Sequence, residues 1–311
     1  MNYKLEHMQL ASFIQKLAFL FLLAMCLPIA GQTQEIKLYS GSIPNSKVEY
    51  SEEMGQLGQG GMIRKVLMPS IEVFQPPKDS ANGTAVLIIP GGGYGVVVYQ
   101  GEGVGTAKEF VKKGITAFVL KYRLPNDSMM VDKSIAPLQD AQQAIKYIRE
   151  HHTEWGIDAK KVGVVGFSAG GHLASTVATH FNKSYIDNPE NTSLRPDFQI
   201  LVYPVITMEK QLTHGGSRNS LLGLNPSDDL VNLFSNEMQV TAETPIAYLT
   251  HAADDKVVDV DNTIHYFDKL RKNKVETEMH IYPKGDHGFI FRFKEWIDPM
   301  FGWMKRNNLI K

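Results

Sequence analysis

An α/β domain with a mostly parallel central sheet and helices on both faces is the fold class predicted by three features of the sequence. Short apolar runs rich in Val and Ile recur along the chain, segments of helical apolar periodicity alternate with them, and turn residues bound the runs. Apolar strands that alternate with helices pack as parallel strands buried on both faces. The 311 residues are 43% hydrophobic and 21% charged with a net charge of -1. That balance excludes a disordered chain and lacks the basic domain that marks a nucleic-acid partner. With no internal repeat or low-complexity tract, residues 32–311 are read as one domain.

The elements follow in chain order. Residues 17–30 form an uncharged apolar run behind Lys4 and Lys16, ending in small residues at Ala30-Gly31. The run is too short to span a bilayer of about 30 Å. Its charged lead and short apolar core predict a signal peptide over residues 1–31, and hence a secreted or periplasmic mature chain without a membrane span. Cleavage removes Cys26, the single cysteine, which suits an oxidising compartment and excludes a disulfide framework. Short β-like runs lie at 36–39 and 71–74, and buried strands are expected at 84–89, 115–121, 162–167, 198–203, 246–250 and 276–282. Helices are expected at 104–113, 135–148, 169–181, 262–272 and 299–307. The clearest carries Ile135, Leu138, Ala141, Ala144, Ile145 and Ile148 on one stripe, and the last has Asp298 as N-cap and Pro299 at its first position. Arg123 and Asp140 are expected to pair as a structural brace. Residues 208–236 are a candidate small lid insert or plain surface helices.

Four places carry chemistry. In Gly166-Phe167-Ser168-Ala169-Gly170 a strand runs straight into a helix, the strand-turn-helix setting of the G-x-S-x-G nucleophile elbow. So tight a turn strains Ser168, exposes its hydroxyl beside a helix N-terminus, and needs glycine on either side. Earlier, Pro90-Gly91-Gly92-Gly93-Tyr94 ends a strand with three glycines whose N–H groups can share a cavity. Gly92 and Gly93, with Ala169 after the serine, are the expected oxyanion donors. Neither glycine-rich stretch fits G-x-G-x-x-G and no phosphate-loop motif exists, so no cofactor is expected. The strand at 246–250 leads to Asp254 and Asp255, either of which can orient a histidine. His287, between Gly285 and Gly288, follows the last strand, where the base belongs. No H-E-x-x-H or similar spacing is present, so no metal site is expected.

Together these residues resemble the α/β-hydrolase superfamily and, more narrowly, secreted esterases related to acetyl-xylan and feruloyl esterases, near relatives of the hormone-sensitive-lipase-like group. The resemblance runs from about residue 36 to the end. It rests on the Pro90–Tyr94 loop, Gly101-Glu102-Gly103, the run from Phe118 to Leu124, Gly166 to Leu173, Gly215 to Gly223, and Asp286-His287-Gly288. Pro90 stands where the lipase-like relatives carry a histidine. The family's acid motif reads Ala252-Ala253-Asp254-Asp255-Lys256-Val257-Val258-Asp259 here, and its register favours Asp255. The resemblance implies a Ser168–Asp255–His287 triad in the family's chain order, and Tyr94, Tyr99, Glu102 and His214 as substrate-side residues. It implies a carboxylesterase acting on short-chain, foremost acetyl, esters of plant polysaccharide or oligosaccharide. A peptidase of the prolyl-oligopeptidase kind lacks room for its additional domain. A non-catalytic binding protein would normally have lost one of the three residues.

Overall fold

The computed structural model describes residues 34–47 and 55–311, so the expected signal peptide lies outside the described residues. Eight strands form one sheet: β1 (Gln34–Lys37), β2 (Ser70–Phe74), β3 (Ala85–Ile89), β4 (Thr116–Lys121), β5 (Val162–Phe167), β6 (Phe198–Val202), β7 (Ile246–Ala252) and β8 (Thr277–Tyr282). Their order is β1-β2-β4-β3-β5-β6-β7-β8. β1 and β2 pair antiparallel to their neighbours, and β3 to β8 are all parallel. Every residue of β3, β4, β5 and β6 is buried, which is why these strands read as continuous apolar runs rather than as alternation. The six predicted buried strands agree with the observed ones to within two residues at each end.

The helices are α1 (Gly105–Lys112), α2 (Ala136–Glu150), α3 (Ser168–Thr179), α4 (Gly215–Leu222), α5 (Asp228–Phe234), α6 (Asp261–Lys272) and α7 (Asp298–Arg306). The chain steps from β3 to β4 in one direction and crosses back to β5 in the other. Right-handed crossovers therefore put α1 and α2 on opposite faces. α7 joins α1, with the Phe110 and Phe301 rings edge to face at 5.4 Å, while α2 packs on α3. One expectation is corrected. Asp298 is the first residue of α7 and Ile297 its cap, because a 3₁₀ turn at Lys294–Ile297 runs directly into the helix. No described helix is long and apolar enough to cross a membrane.

Strand register decides where the chemistry goes. Ile89 lies beside Gly166, Phe167 beside Val202, Val202 beside Thr250 and Ala252 beside Tyr282. The loops that follow β3, β5, β6, β7 and β8 therefore leave the same edge of the sheet. β3 and β5 flank the point where strand order reverses, the general place for ligands in such sheets. Residues 208–236 hold α4 and α5, and Leu221, Leu222, Val231 and Phe234 point into the core.

Arg123, just past β4, is locked against Asp140 of α2. The Arg123 Nη2 and Nε groups donate to Asp140 at 2.7 and 2.9 Å, and its backbone N–H adds a bond of 2.8 Å. Arg123 Nη1 also reaches Pro44 O at 2.8 Å, tying down the described N-terminal segment. A buried pair with one partner missing leaves an uncompensated charge. Asp140→Ala should therefore cost about 3–5 kcal/mol in urea unfolding, and an Arg123→Met/Asp140→Leu double variant much less.

Candidate active site

Ser168 is where strand becomes helix. β5 ends at Phe167 in extended conformation, α3 starts at Ser168, and Ser168 itself has φ 51°, a left-handed backbone that a side chain rarely adopts. The surroundings hold it there. A Cβ on Gly166 would sit 2.5 Å from Gly170 O, and one on Gly91 would sit 2.6 Å from Phe167 O and 2.8 Å from Ser168 Cβ. Only bare backbone lets the loop after β3 close on the serine.

The three residues expected to act together are brought together. Ser168 Oγ lies 3.0 Å from His287 Nε2, and His287 Nδ1 lies 2.7 Å from Asp255 Oδ2. Because Nδ1 faces a carboxylate it carries the proton, and Nε2 is left as the acceptor for the serine hydroxyl. The Asp255 side chain is wholly buried, whereas that of His287 is 21% exposed. Burial alone would raise the Asp255 carboxyl. Hydrogen bonds from His251, His287 and the Val258 N–H outweigh burial and hold it well below the usual carboxylate range.

The loops after β3 and β5 supply the donors. Gly92, Gly93 and Tyr94 all have positive φ, and the Gly92 carbonyl accepts from Gly95 and Val96 at 3.0 and 3.1 Å, closing a tight turn. The Gly92 and Gly93 N–H groups donate to no described protein group. The Ala169 N–H belongs to the first turn of α3, where helical N–H groups lack an intrahelical partner. An anion seated there meets free donors and the positive end of a helix.

The four residues expected on the substrate side divide. His214 caps α4, its Nδ1 accepting from Ser217 N at 3.2 Å, and its Cε1 would lie 3.7 Å from a Cβ on Gly93. It therefore stands over the glycine loop. Burial, then repulsion from His287, lowers its pKa, with Asp255 opposing. The other three expectations are corrected, because their side chains turn into the protein. Tyr94 is 2% exposed, and its hydroxyl meets His172 Nδ1 at 2.8 Å. His172, lowered to about 4 by burial, is neutral and passes the link on through Nε2 to Phe234 O at 2.8 Å. Tyr99 is buried under the Lys121 ammonium, 4.7 Å from its ring. Glu102 is buried between the Gly91 N–H and the Tyr203 hydroxyl.

Other residues of the site escape a sequence reading. His251, buried in β7, donates through Nε2 to Asp255 Oδ2 at 3.1 Å and Val258 O at 3.0 Å, while Thr263 Oγ1 meets its Nδ1 at 2.7 Å. Tyr203 has φ 38° and lays its ring 4.6 Å from that of His287. Asp254 takes no part in the serine–histidine line. It accepts the Asp286 N–H at 2.7 Å, and Asp286 accepts the Lys256 N–H at 3.1 Å, so the acid and histidine loops are laced together. The only hint of His251 in the sequence is its place four residues before Asp255.

A strand–serine–helix elbow on a mostly parallel sheet, with aspartate and histidine after later strands, defines an α/β-hydrolase. The BD-FAE family matches residues 71–270, and the chain belongs to that family. It is similar to endo-1,4-beta-xylanase B of Butyrivibrio fibrisolvens, 37% identical over 72% of this chain and 35% of the relative. Acetylxylan esterase of Xylanibacter ruminicola is 36% identical over 68% of this chain and 42% of its own. The chain thus spans less than half the length of either. Among solved structures, the acetyl ester-xyloside bifunctional hydrolase of Caldicellulosiruptor lactoaceticus superposes with a TM-score of 0.79 at 32% identity, covering 92% of this chain and 100% of its own.

The different attachments of the two carboxylates give distinct expectations. Asp255→Asn puts an amide where the imidazolium needs a negative charge and should slow p-nitrophenyl acetate turnover by about 10⁴-fold with the fold intact. Asp254→Asn keeps an acceptor for Asp286 N–H and should cost less than about tenfold. Steady-state kinetics on both variants, with circular dichroism as the folding control, decides between them.

Proposed function

We propose that this protein is a secreted serine carboxylesterase that removes short acyl groups, acetyl foremost, from plant polysaccharide or oligosaccharide. The observation that carries the reading is the hydrogen-bonded line from Ser168 Oγ through His287 to Asp255, beside unpartnered backbone donors. The names of the xylan-directed relatives and of the xyloside hydrolase support the substrate class. Secretion rests on the apolar run at residues 17–30.

In this mechanism a serine hydroxyl, weakly nucleophilic at neutral pH, gives its proton to His287 Nε2 as it attacks the ester carbonyl. Asp255 fixes the tautomer and stabilises the imidazolium. The tetrahedral oxyanion takes hydrogen bonds from Gly92, Gly93 and Ala169 N–H groups, each worth roughly 10²–10³-fold in rate. His287 returns the proton to the departing alcohol, leaving an acyl-serine. Water, deprotonated by the same ring, repeats the attack and releases the acid.

Ser168 and His287 act as a unit in this scheme. Ser168→Ala, His287→Ala and the double variant should lose activity by similar factors, on the order of 10⁴–10⁶. A folded Ser168→Ala protein that keeps a tenth of its rate would sink the mechanism. Acyl size tests the substrate. Leu221 and Leu222 of the 208–236 segment are spent on the core rather than on a long acyl groove. Aryl acetate should therefore exceed aryl octanoate in kcat/KM by about tenfold or more. Rates on acetylated xylan, methyl ferulate and an acetate-to-octanoate aryl series decide it, and a maximum at octanoate would mean a lipase-like groove.

A further inference from the structure

Glu102 is a buried carboxylate that the hydrolytic scheme leaves unused. It lies on a π-helical turn, Tyr99–Val104, and is 5% exposed. Its Oε2 accepts the Gly91 N–H at 2.6 Å and its Oε1 accepts the Tyr203 hydroxyl at 3.0 Å. Gly91 opens the oxyanion loop and lies against Ser168, while the Tyr203 ring is the wall beside His287. One side chain thus joins the two structures that face the reacting atoms from either side.

We propose that Glu102 is a positioning residue for ester hydrolysis: as a carboxylate it holds the Gly91 loop and Tyr203 in register and sets a second negative charge toward His287 as that ring becomes an imidazolium. This rests on the esterase reading above. Both partners of Glu102 are donors, so the ionised form satisfies both, whereas a protonated carboxyl brings a third hydrogen to a site that needs acceptors. The titratable groups facing it are Tyr203 after β6, Tyr122 after β4 and His287 after β8, with Tyr99 on its own turn. Tyr122 is committed to Pro90 O at 2.9 Å. Lys121, the cation over the Tyr99 ring, is paired with Glu35 at 2.7 Å. His287 is therefore the group there whose charge changes during the reaction.

Burial raises the Glu102 carboxyl to about 7, with the Gly91 N–H, the Tyr203 hydroxyl and His287 opposing the rise. The folded value lies above the 4.5 usual for a glutamate, so Glu102 acquires its charge only as pH rises through about 7. The sign for stability is the reverse. The unfolded chain loses its proton first, so the contribution present below 4.5 is lost by about pH 7.

The test measures kcat and KM for p-nitrophenyl acetate, together with Tm, from about pH 5 to about pH 9 on wild type, Glu102→Gln, Tyr203→Phe and Ser168→Ala. Wild-type kcat/KM should fall by more than tenfold per pH unit on the acid side near pH 7, because protonating Glu102 adds a loss of about 10–100-fold to that from protonating the base. Glu102→Gln should retain a limb of about tenfold per unit, with kcat at pH 8 lowered about 10–100-fold and KM within about twofold. Its Tm should gain on wild type as pH rises from about 5 to about 8. Tyr203→Phe keeps the charge, so it should keep the steep limb and lose less than about tenfold. A one-proton wild-type limb overturns the proposal, and this arm needs no variant to fold. A Glu102→Gln protein that matches wild type, or that raises KM alone, overturns it too. In either case an inactive Ser168→Ala leaves the esterase reading standing; an active one removes both.

Discussion

The left-handed backbone of Ser168 is the constraint on which the rest of the site depends. A non-glycine residue at φ 51° is strained by about 1–3 kcal/mol and persists only where its surroundings over-determine it. Here they do. β5 is paired on both edges, to β3 and β6, so its last residue cannot shift along the sheet. α3 begins without a spacer and packs its first turns against buried strands, with Ala169 to Ala178 out of solvent. The strain lifts Oγ off the sheet edge, and the same register that pins the serine delivers the other loops to it. Ile89 opposite Gly166 brings Gly91 against the serine, and Val202 next to Thr250 brings Tyr203 under the histidine.

Charge is distributed around that fixed point with one consistent sign. Asp255 is held ionised in a buried place by donors on both sides of its carboxylate, His251 and His287 on Oδ2 and the Val257 and Val258 N–H groups on Oδ1. His251 and His287 share one oxygen, so His251 fixes the position of the atom that fixes His287. The neighbouring imidazoles His172 and His214 are both biased toward neutrality, chiefly by burial. Positive charge is thus disfavoured on both of those rings.

Much of this was legible in the residue pattern, and the reason is periodicity. A strand buried on both faces must be apolar throughout, as Ala85–Ile89 and Val162–Phe167 are, and a nucleophile turn must be flanked by small residues, as Ser168 is. Such requirements are local, so local sequence reports them. Orientation is not local. Tyr94 sits one residue beyond the glycine loop, yet its left-handed φ of 60° turns the ring inward to His172. Glu102 resembles an exposed loop acid between two glycines, but the π-helical turn carries it under Gly91, and nothing near it in the sequence names Tyr203, 101 residues away. His251 was invisible for a related cause. A histidine on a buried strand reads as core until the register places it over the acid.

The segment from 208 to 236 shows how buried hydrogen bonds make the scaffold rigid. An insert between strands beside an active site invites the reading of a hinged lid, and a lid needs few buried contacts and weakly held ends. This one has the opposite construction. Asn236 donates to His172 O and to the Ser175 and Thr176 hydroxyls of α3, and the Phe234 carbonyl receives His172 Nε2. His172 in turn holds Tyr94, the residue that ends the glycine loop. Opening the segment would therefore break buried polar bonds on α3 and loosen the glycine loop together, leaving unsatisfied groups that cost about 1–3 kcal/mol each. The segment is built as a clamp on α3 and the glycine loop.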